Sequence, residues 1–352
     1  MCSATGDQLG GKLHAEENGY LDAVAKGILK GYQKGVVDEL TLPGLDDVRA
    51  AAERLAGRAH RTPVLTCSAL DSMAGASLFF KCENFQKTGA FKFRGATNAV
   101  ELLVESKCGV ATHSSGNHGA ALAAAAKARG IPAHIVVPEN ATAVKLAAVE
   151  HYGGQMVFCE PTLEARETTL GRVVAETGAV FVPPFDHPHI IAGQGTAVLE
   201  LLDEVENLDM VIAPVGGGGL VSGTGITVKG LWPGVEVFAA EPEQADDAAR
   251  SFLSGKIEPA NSDTIADGLL TSLGPLTFQA IRETVADVIT VSEEEIVVAL
   301  RTVWERMKIV IEPSSAVPVA VVLNDERFKG KRVGVILTGG NVDLKGLAKI
   351  LS

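Results

Sequence analysis

The chain has 352 residues, a net charge of −12, 46% hydrophobic and 21% charged residues, enough for two packed cores or one core with a large insertion. An acidic surface repels phosphate backbones, which argues against nucleic acid as a partner, and no apolar run reaches the ~18 uncharged residues of a membrane span; the richest, 120–137, is broken by Lys127, Arg129, Gly130 and Pro132. The five cysteines, Cys2, Cys67, Cys82, Cys108 and Cys159, are scattered without a CxxC pair, which points away from a disulfide framework or zinc knuckle and toward reduced thiols in the cytoplasm.

Residues 1–42 carry no apolar signal region and mix acids with bases (Asp7, Lys12, Glu16, Glu17), unlike a secretory or acid-poor transit segment. They read as an extension, helix-like over 20–32. From there short apolar strands alternate with amphipathic helices. Strands are expected at 77–82, 109–112, 133–137 and 155–159, with helices at 93–104, 119–129, 143–151 and 162–176 between and after them. The rhythm repeats with strands at 210–214, 235–240 and 332–337, and helices at 220–231, 245–254, 276–285, 293–308 and 315–323. Such alternation predicts an α/β fold with largely parallel sheets, whose ligands bind beyond the carboxyl ends of strands. Three polar, glycine-rich loops follow predicted strands directly: 113–119, 216–219 and 338–341. A single crevice would gather all three.

Five segments carry chemistry. In KTGAFKFRG (87–95), Lys92 is flanked by Phe91 and Phe93. Desolvation against rings lowers a lysine pKa and exposes the neutral amine that condenses with an aldehyde; a surface lysine with a snorkelling stem is the competing reading. HSSGNHG (113–119) opens an alanine-rich helix. Ser114 or Ser115 could cap that helix, and the same hydroxyls and N–H groups could bind a carboxylate. His118 alone reads as structural. The run Gly216, Gly217, Gly218, Gly219 lies between an apolar strand and a helix. Its free N–H groups, together with the helix N-terminus, can cradle a phosphate. The run matches neither GxGxxG nor GxxxxGK[ST], against a dinucleotide fold or a P-loop. In EPEQADD (241–247), Glu241 and Asp247 with a backbone carbonyl between them suit a hard cation, or simply supply acid at a helix start. Thr338 in TGGN is a turn residue, or a hydroxyl for a heteroaromatic nitrogen.

Together GAFKFRGA, HSSGNHG, AGQGT (192–196), VGGGG (215–219) and TGGNVDL (338–344) resemble, in order and spacing, the serine racemase and serine/threonine dehydratase group of fold-type II, tryptophan-synthase β-like enzymes that use pyridoxal phosphate. FFKCENFQKTG, AAEPEQADD, TIADG and VWERMKIVIEPSSAV resemble the eukaryotic-type serine racemases in particular. The resemblance runs from about residue 42 to the end of the chain. It implies two open, twisted, mostly parallel sheets, with the cofactor in the cleft between a large domain (43–108 and 187–352) and a small one (109–186). It implies Lys92 as the residue that bonds the cofactor, and the backbone of Gly216–Leu220 on its phosphate. Thr338 falls on the ring nitrogen, which a hydroxyl partner leaves largely unprotonated. Asn117 falls on the ring 3-oxygen and Phe91 against the ring.

By the same resemblance Ser114, Ser115, Asn117 and His118 receive the substrate carboxylate, Arg166 and Thr271 lie near the substrate, and Ser115 is the second catalytic group. Glu241, the Ala245 carbonyl and Asp247 match a divalent-cation site, for magnesium and alternatively manganese or calcium. The implied activity is racemisation of serine with β-elimination to pyruvate and ammonia, in a homodimer. Gln86–Gly89 (QKTG) matches the animal racemases at an ATP-type effector site. One position departs: PPFDHP has Phe185 where the animal racemases carry Asn and many threonine dehydratases an aromatic. A dehydratase for threonine or 3-hydroxyaspartate, and an inactive cofactor-binding homologue, are the rival readings; a nucleotide site without the cofactor is the weakest. No regulatory domain is expected after about residue 344.

Overall fold

The computed structural model describes residues 41–103, 107–114, 116–260, 263–344 and 346. The helix expected at 20–32 lies outside the described residues, as does Ser115. The chain order opens with α1 (Leu45–Leu55), β1 (Val64–Leu65), α2 (Ser68–Ala74), β2 (Ser77–Cys82), α3 (Lys92–Glu101), β3 (Val110–His113), α4 (Asn117–Arg129), β4 (Ala133–Pro138), α5 (Ala143–His151), β5 (Gln155–Cys159), α6 (Leu163–Thr177) and β6 (Val180–Phe181). It continues with α7 (Pro188–Glu204), β7 (Met210–Pro214), α8 (Gly219–Leu231), β8 (Glu236–Pro242), α9 (Asp247–Ser254), α10 (Pro275–Thr284), β9 (Asp287–Val291), α11 (Glu293–Met307), α12 (Pro313–Asn324) and β10 (Arg332–Leu337).

Two sheets result. One has six strands in the order β1-β2-β10-β7-β8-β9, and the other four in the order β5-β4-β3-β6. Among the described strands only the β1–β2 pair is antiparallel. In the larger sheet β10 is central: Val335 pairs with Phe80 on one side and Ile212 on the other. Parallel strands covered on both faces read as unbroken apolar runs, and all five residues of β7 are buried. Successive side chains go to opposite faces. Ile212 and Val335 join the core beneath α12 with Phe80, Leu300 and Phe328, while Val211 and Ile336 join the opposite core with Leu201, Val221 and Ile281. The smaller sheet divides likewise between Leu122 with Ile135 and Val136 with Leu170.

The expected strands at 77–82, 155–159, 210–214 and 332–337 and the helix at 143–151 form with those bounds, and most others shift by one or two residues. The helix expected to run from 93 to 104 ends at Glu101. The helix expected from 245 starts at Asp247, because a 3-10 turn takes Glu243–Ala245. The reading passed over α1, α2 and α7 and the strands β1, β6 and β9. Helix α7 is the largest omission. Its glycines cost about 1 kcal/mol each against alanine in a free helix, yet tertiary packing requires them. A Cβ at Gly193 would lie 2.7 Å from the Cα of Gly95, and one at Gly195 would lie 2.9 Å from the carbonyl oxygen of Gly223. Only glycine lets α3, α7 and α8 approach so closely. Pro188 at the first turn and the His187 side chain, accepting from the His189 N–H, start the helix.

Among the described residues no helix is long and apolar enough to cross a membrane. The four described cysteines are unpaired.

Candidate active site

Helix α3 begins with the lysine of interest and is anchored from below. Arg94, two residues on, is buried and forms ion pairs with Glu83 and Glu200, both at 2.7 Å, and Lys81 reaches Glu200 at 2.6 Å. Burial would push the Glu83 carboxyl up, but the Arg94 guanidinium more than offsets this and holds it below its ordinary value. Two cations face two anions, so the cluster is balanced inside the core. It ties β2, the 83–85 turn and α7 to the start of α3.

Lys92 Nζ donates to the Pro184 carbonyl at 2.7 Å and stands 5.2 Å from the Phe91 ring centre. Burial lowers its pKa to about 8, with Glu312 pulling the other way. Phe91 is half-buried, and its N–H donates to the Thr338 carbonyl at 2.9 Å, which ties the loop after β10 to the head of α3. Thr338 is buried, with Oγ1 2.9 Å from Ser315 Oγ. Ser315 also accepts the Gly339 N–H at 2.8 Å.

The loop after β3 meets this group from the smaller sheet. Asn117 Nδ2 donates to Glu312 at 3.0 Å, and Asn117 Oδ1 accepts from Asn341 at 2.9 Å. Burial pushes the Glu312 carboxyl up to about 8, and Asp267 adds to the rise. Ser114 does not cap α4. Its hydroxyl accepts the Gly116 N–H at 3.3 Å, and Gly116 is the N-cap, without a side-chain oxygen on the first amides. His118 turns inward: Nε2 bonds the Val182 carbonyl at 3.0 Å, Nδ1 is buried without a partner, and burial drives its pKa down to about 3. A neutral imidazole with its proton on Nε2 follows. Arg166, on α6, has a buried Nε without a partner, and its charge helps to lower the neighbouring His113 to about 4, after burial. Thr271 is exposed on the loop before α10. Ser115 lies outside the described residues.

In the glycine loop after β7 the chain's own atoms pack so closely on the backbone that no side chain has room. A Cβ at Gly216 would fall 2.9 Å from the Leu269 Cα, one at Gly217 2.2 Å from the Phe185 ring, one at Gly218 2.8 Å from Thr277, and one at Gly219 3.1 Å from the Phe185 backbone. Gly218 has φ +85°, a conformation in which glycine is least strained. Leu220 is buried behind the loop. Phe185 sits in place because its neighbour Asp186 accepts the Thr277 N–H at 3.0 Å, at the start of α10. The segment 184–186 thus holds Lys92, covers the glycine loop and fastens to α10.

The loops after β3, β7 and β10 therefore converge on one cleft. Its contents fit pyridoxal phosphate. A lysine with a lowered pKa suits the aldehyde, a side-chain-free turn at a helix start suits the phosphate, and a buried hydroxyl suits a ring nitrogen. Pro184, Asp186, Glu312, Ser315 and Asn341 were not singled out from the sequence as site residues. Glu312 and Ser315 lie in EPSSAV, a stretch that entered the sequence reading only through its resemblance to the serine racemases, with no role attached to either residue.

The acidic pair lies at the end of β8, where the Val215 N–H at the foot of the glycine loop donates to the Ala240 carbonyl at 2.9 Å. Glu241 accepts the Ala248 and Ala249 N–H groups at 2.9 and 2.8 Å. Burial, with Asp247 nearby, raises its pKa to about 9. Asp247 is buried with both carboxylate oxygens unpartnered, and Ala245 is buried beside it. Among the described residues no group of three His, Cys, Asp or Glu side chains gathers to hold a metal. Two carboxylates are present here, and unpaired buried oxygens of this kind fit a hard cation completed by a carbonyl.

The sequence pattern of the family described as "Pyridoxal-phosphate dependent enzyme" matches residues 55–339. The chain is 53% identical over 317 residues to the serine racemase of Dictyostelium discoideum, covering 88% of this chain and 98% of that protein. It is 52% identical over 310 residues to the beta-hydroxyaspartate dehydratase of Paracoccus denitrificans, covering 87% and 98%. The structure of maize serine racemase matches it with a TM-score of 0.85 at 46% identity, over 88% of this chain and 97% of that one. The two-sheet architecture is fold-type II, and the chain belongs to the pyridoxal-phosphate-dependent enzymes, in the family of the serine racemases and dehydratases.

Proposed function

We propose that this chain is a serine racemase that interconverts L- and D-serine and also dehydrates serine to pyruvate and ammonia. The observation that carries the reading is its likeness to the Dictyostelium serine racemase over nearly the whole of that protein, which the lysine-centred cleft supports. Bound pyridoxal phosphate supplies the electron sink that lets a substrate Cα–H ionise. Gly216, Gly217, Gly218, Gly219 and Leu220 would hold its phosphate through backbone N–H groups, Thr338 its ring nitrogen, Asn117 its 3-oxygen and Phe91 its ring. Lys92 Nζ takes the α-proton from one face. Ser115 Oγ returns a proton from the other. The start of α4, with Ser114, Ser115, Asn117 and the backbone of His118, receives the substrate carboxylate, because free N–H groups and the helix dipole favour an anion there. Arg166 and Thr271 close over the substrate from the smaller domain (109–186) and the larger one (43–108 and 187–352).

Glu241, the Ala245 carbonyl and Asp247 form the site for magnesium, or for manganese or calcium in its place. The same reading makes the protein a cytoplasmic homodimer, with Gln86–Gly89 as part of an ATP-type effector site. A second reading is favoured by one residue. Phe185 packs on Gly217 where the animal racemases resembled by this chain carry Asn, and the Paracoccus relative is a dehydratase. In that reading the enzyme eliminates water from 3-hydroxyaspartate and racemises little.

The test is to incubate the purified protein with pyridoxal phosphate, Mg²⁺ and L-serine, and to quantify D-serine and pyruvate together, with 3-hydroxyaspartate run in parallel. Substantial D-serine establishes the racemase. Pyruvate with little D-serine, and faster turnover of 3-hydroxyaspartate, transfers the assignment to the dehydratase. The two-face assignment predicts that Ser115→Ala loses racemisation but keeps most of the elimination of L-serine; parallel loss or parallel retention of the two activities contradicts it.

A further inference from the structure

Glu312 is a buried acid that the proposed chemistry leaves unused. It stands at the cap of α12, is 2% exposed, and its backbone N–H donates to the Gly339 carbonyl at 3.0 Å. Its carboxyl faces Asn117 Nδ2, at 3.0 Å from Oε1 and 3.2 Å from Oε2. On the other side of the same amide, Asn341 Nδ2 donates to Asn117 Oδ1 at 2.9 Å, while also donating to the Thr88 carbonyl at 2.7 Å. An asparagine amide has two donors on nitrogen and two lone pairs on oxygen. With an acceptor at the nitrogen and a donor at the oxygen, a flipped amide would set oxygen against the Glu312 carboxyl and NH₂ against NH₂. With one N–H shared between the two Glu312 oxygens, the other N–H of Asn117 is left for the cleft.

We infer that Glu312 is a positioning residue: by gripping the Asn117 amide from the far side of the cleft, it makes Asn117 an obligate hydrogen-bond donor toward the cofactor ring. The inference rests on the reading that Asn117 faces the ring 3-oxygen, which a donor suits and a carbonyl oxygen would repel. It also gives the loop after β10 and the head of α4 a common anchor, since a Cβ at Gly339 would lie 2.7 Å from Glu312 Oε1. The charged groups facing Glu312 are Lys92, Asp267 and Lys145, the last two paired at 2.7 Å. Burial, reinforced by Asp267, raises the carboxyl to about 8, and glutamine keeps an acceptor oxygen for the same amide.

The test is a double-mutant cycle on cofactor affinity. The full chain, freed of cofactor, is dialysed to equilibrium against pyridoxal phosphate as wild type, Glu312→Ala, Asn117→Ala and the double variant. Each single variant is expected to raise the dissociation constant about tenfold, the worth of one well-placed hydrogen bond, and the double variant no more than either. Both singles should shift the visible absorption of the bound cofactor alike, and Glu312→Gln, which keeps an acceptor, should stay within about threefold of wild type. A roughly hundredfold loss in the double variant means independent action; it overturns the inference and leaves the Asn117 reading standing. A wild-type constant for Asn117→Ala overturns both. A loss in Glu312→Gln as large as in Glu312→Ala also overturns the inference. Glu312→Met, which fills the volume without an acceptor, replaces Glu312→Ala should that variant fail to fold.

Discussion

Lys92 shows how one side chain acquires its chemistry from where the fold puts it. An ordinary lysine with a pKa of 10.5 offers about 0.03% neutral amine at pH 7, whereas a pKa of about 8 offers about a tenth. The sign is set by burial: desolvation penalises the ammonium, so the folded chain gives up the proton earlier than a free lysine does. Uptake of pyridoxal phosphate by the cofactor-free protein should therefore speed up as pH rises through about 8 and level off above ~9, as read by rapid mixing. A rate that keeps rising toward 10.5 would place Lys92 in water. Lys92→Ala should bind the cofactor without covalent retention after borohydride treatment. His118 makes the complementary point. The sequence placed it with the carboxylate-binding group, but its ring is spent on the Val182 carbonyl and held neutral by burial. In the proposed reading only its backbone at the start of α4 is left for that role. Nothing in HSSGNHG distinguishes an inward imidazole from an outward one, because the difference depends on the Val182 carbonyl just past β6, 64 residues later in the chain.

Among the elements, α7 is where local preference and tertiary need disagree most. Glycine at 193 and 195 reads as a break, yet both sit in a 17-residue helix. Gly193→Ala should lower stability by about 2 kcal/mol or more, since the new methyl meets backbone that cannot step aside. Gly234→Ala, with nothing within 4 Å of its Cβ, should change little; equal melting temperatures for the two variants would refute the close-approach account. Arg94 on α3 offers a second check. Arg94→Met leaves the buried Glu83 without its counter-charge and should cost about 3–5 kcal/mol in denaturant unfolding. A loss below about 1 kcal/mol would mean that the cluster behaves as a surface pair. The inner strands β7 and β10 of the larger sheet were the easiest elements to read, because MVIAP and RVGVIL are buried on both faces and announce themselves as apolar runs. The two-residue strands β1 and β6 carry too few residues for any period to show.

At the scale of the molecule, two sheets present the carboxyl ends of their strands to one cleft, and the acidic pair sits at the carboxyl end of β8, beside the glycine loop. If Glu241, the Ala245 carbonyl and Asp247 bind a divalent cation, Mg²⁺ at a hundred times its dissociation constant should stabilise the folded chain by about 2.7 kcal/mol. Calorimetry should then show a higher melting temperature with Mg²⁺, reversed by a chelator and absent in Glu241→Ala; an unchanged melting temperature in wild type removes the site. What the sequence determined alone was the α/β alternation, the bounds of the central strands, and the three glycine-rich loops that follow them. Those features are local: a buried parallel strand is apolar throughout, and a loop that must bring bare backbone to a ligand is written in glycine. Only the tertiary structure decided the rest: that α7 is a helix, that His118 faces inward, that Phe185 lies on Gly217, and that Glu312 and Asn341 hold Asn117 between them. Each of these depends on contacts between segments far apart in the chain, and side chains acquire such partners only when the two sheets close on the cleft.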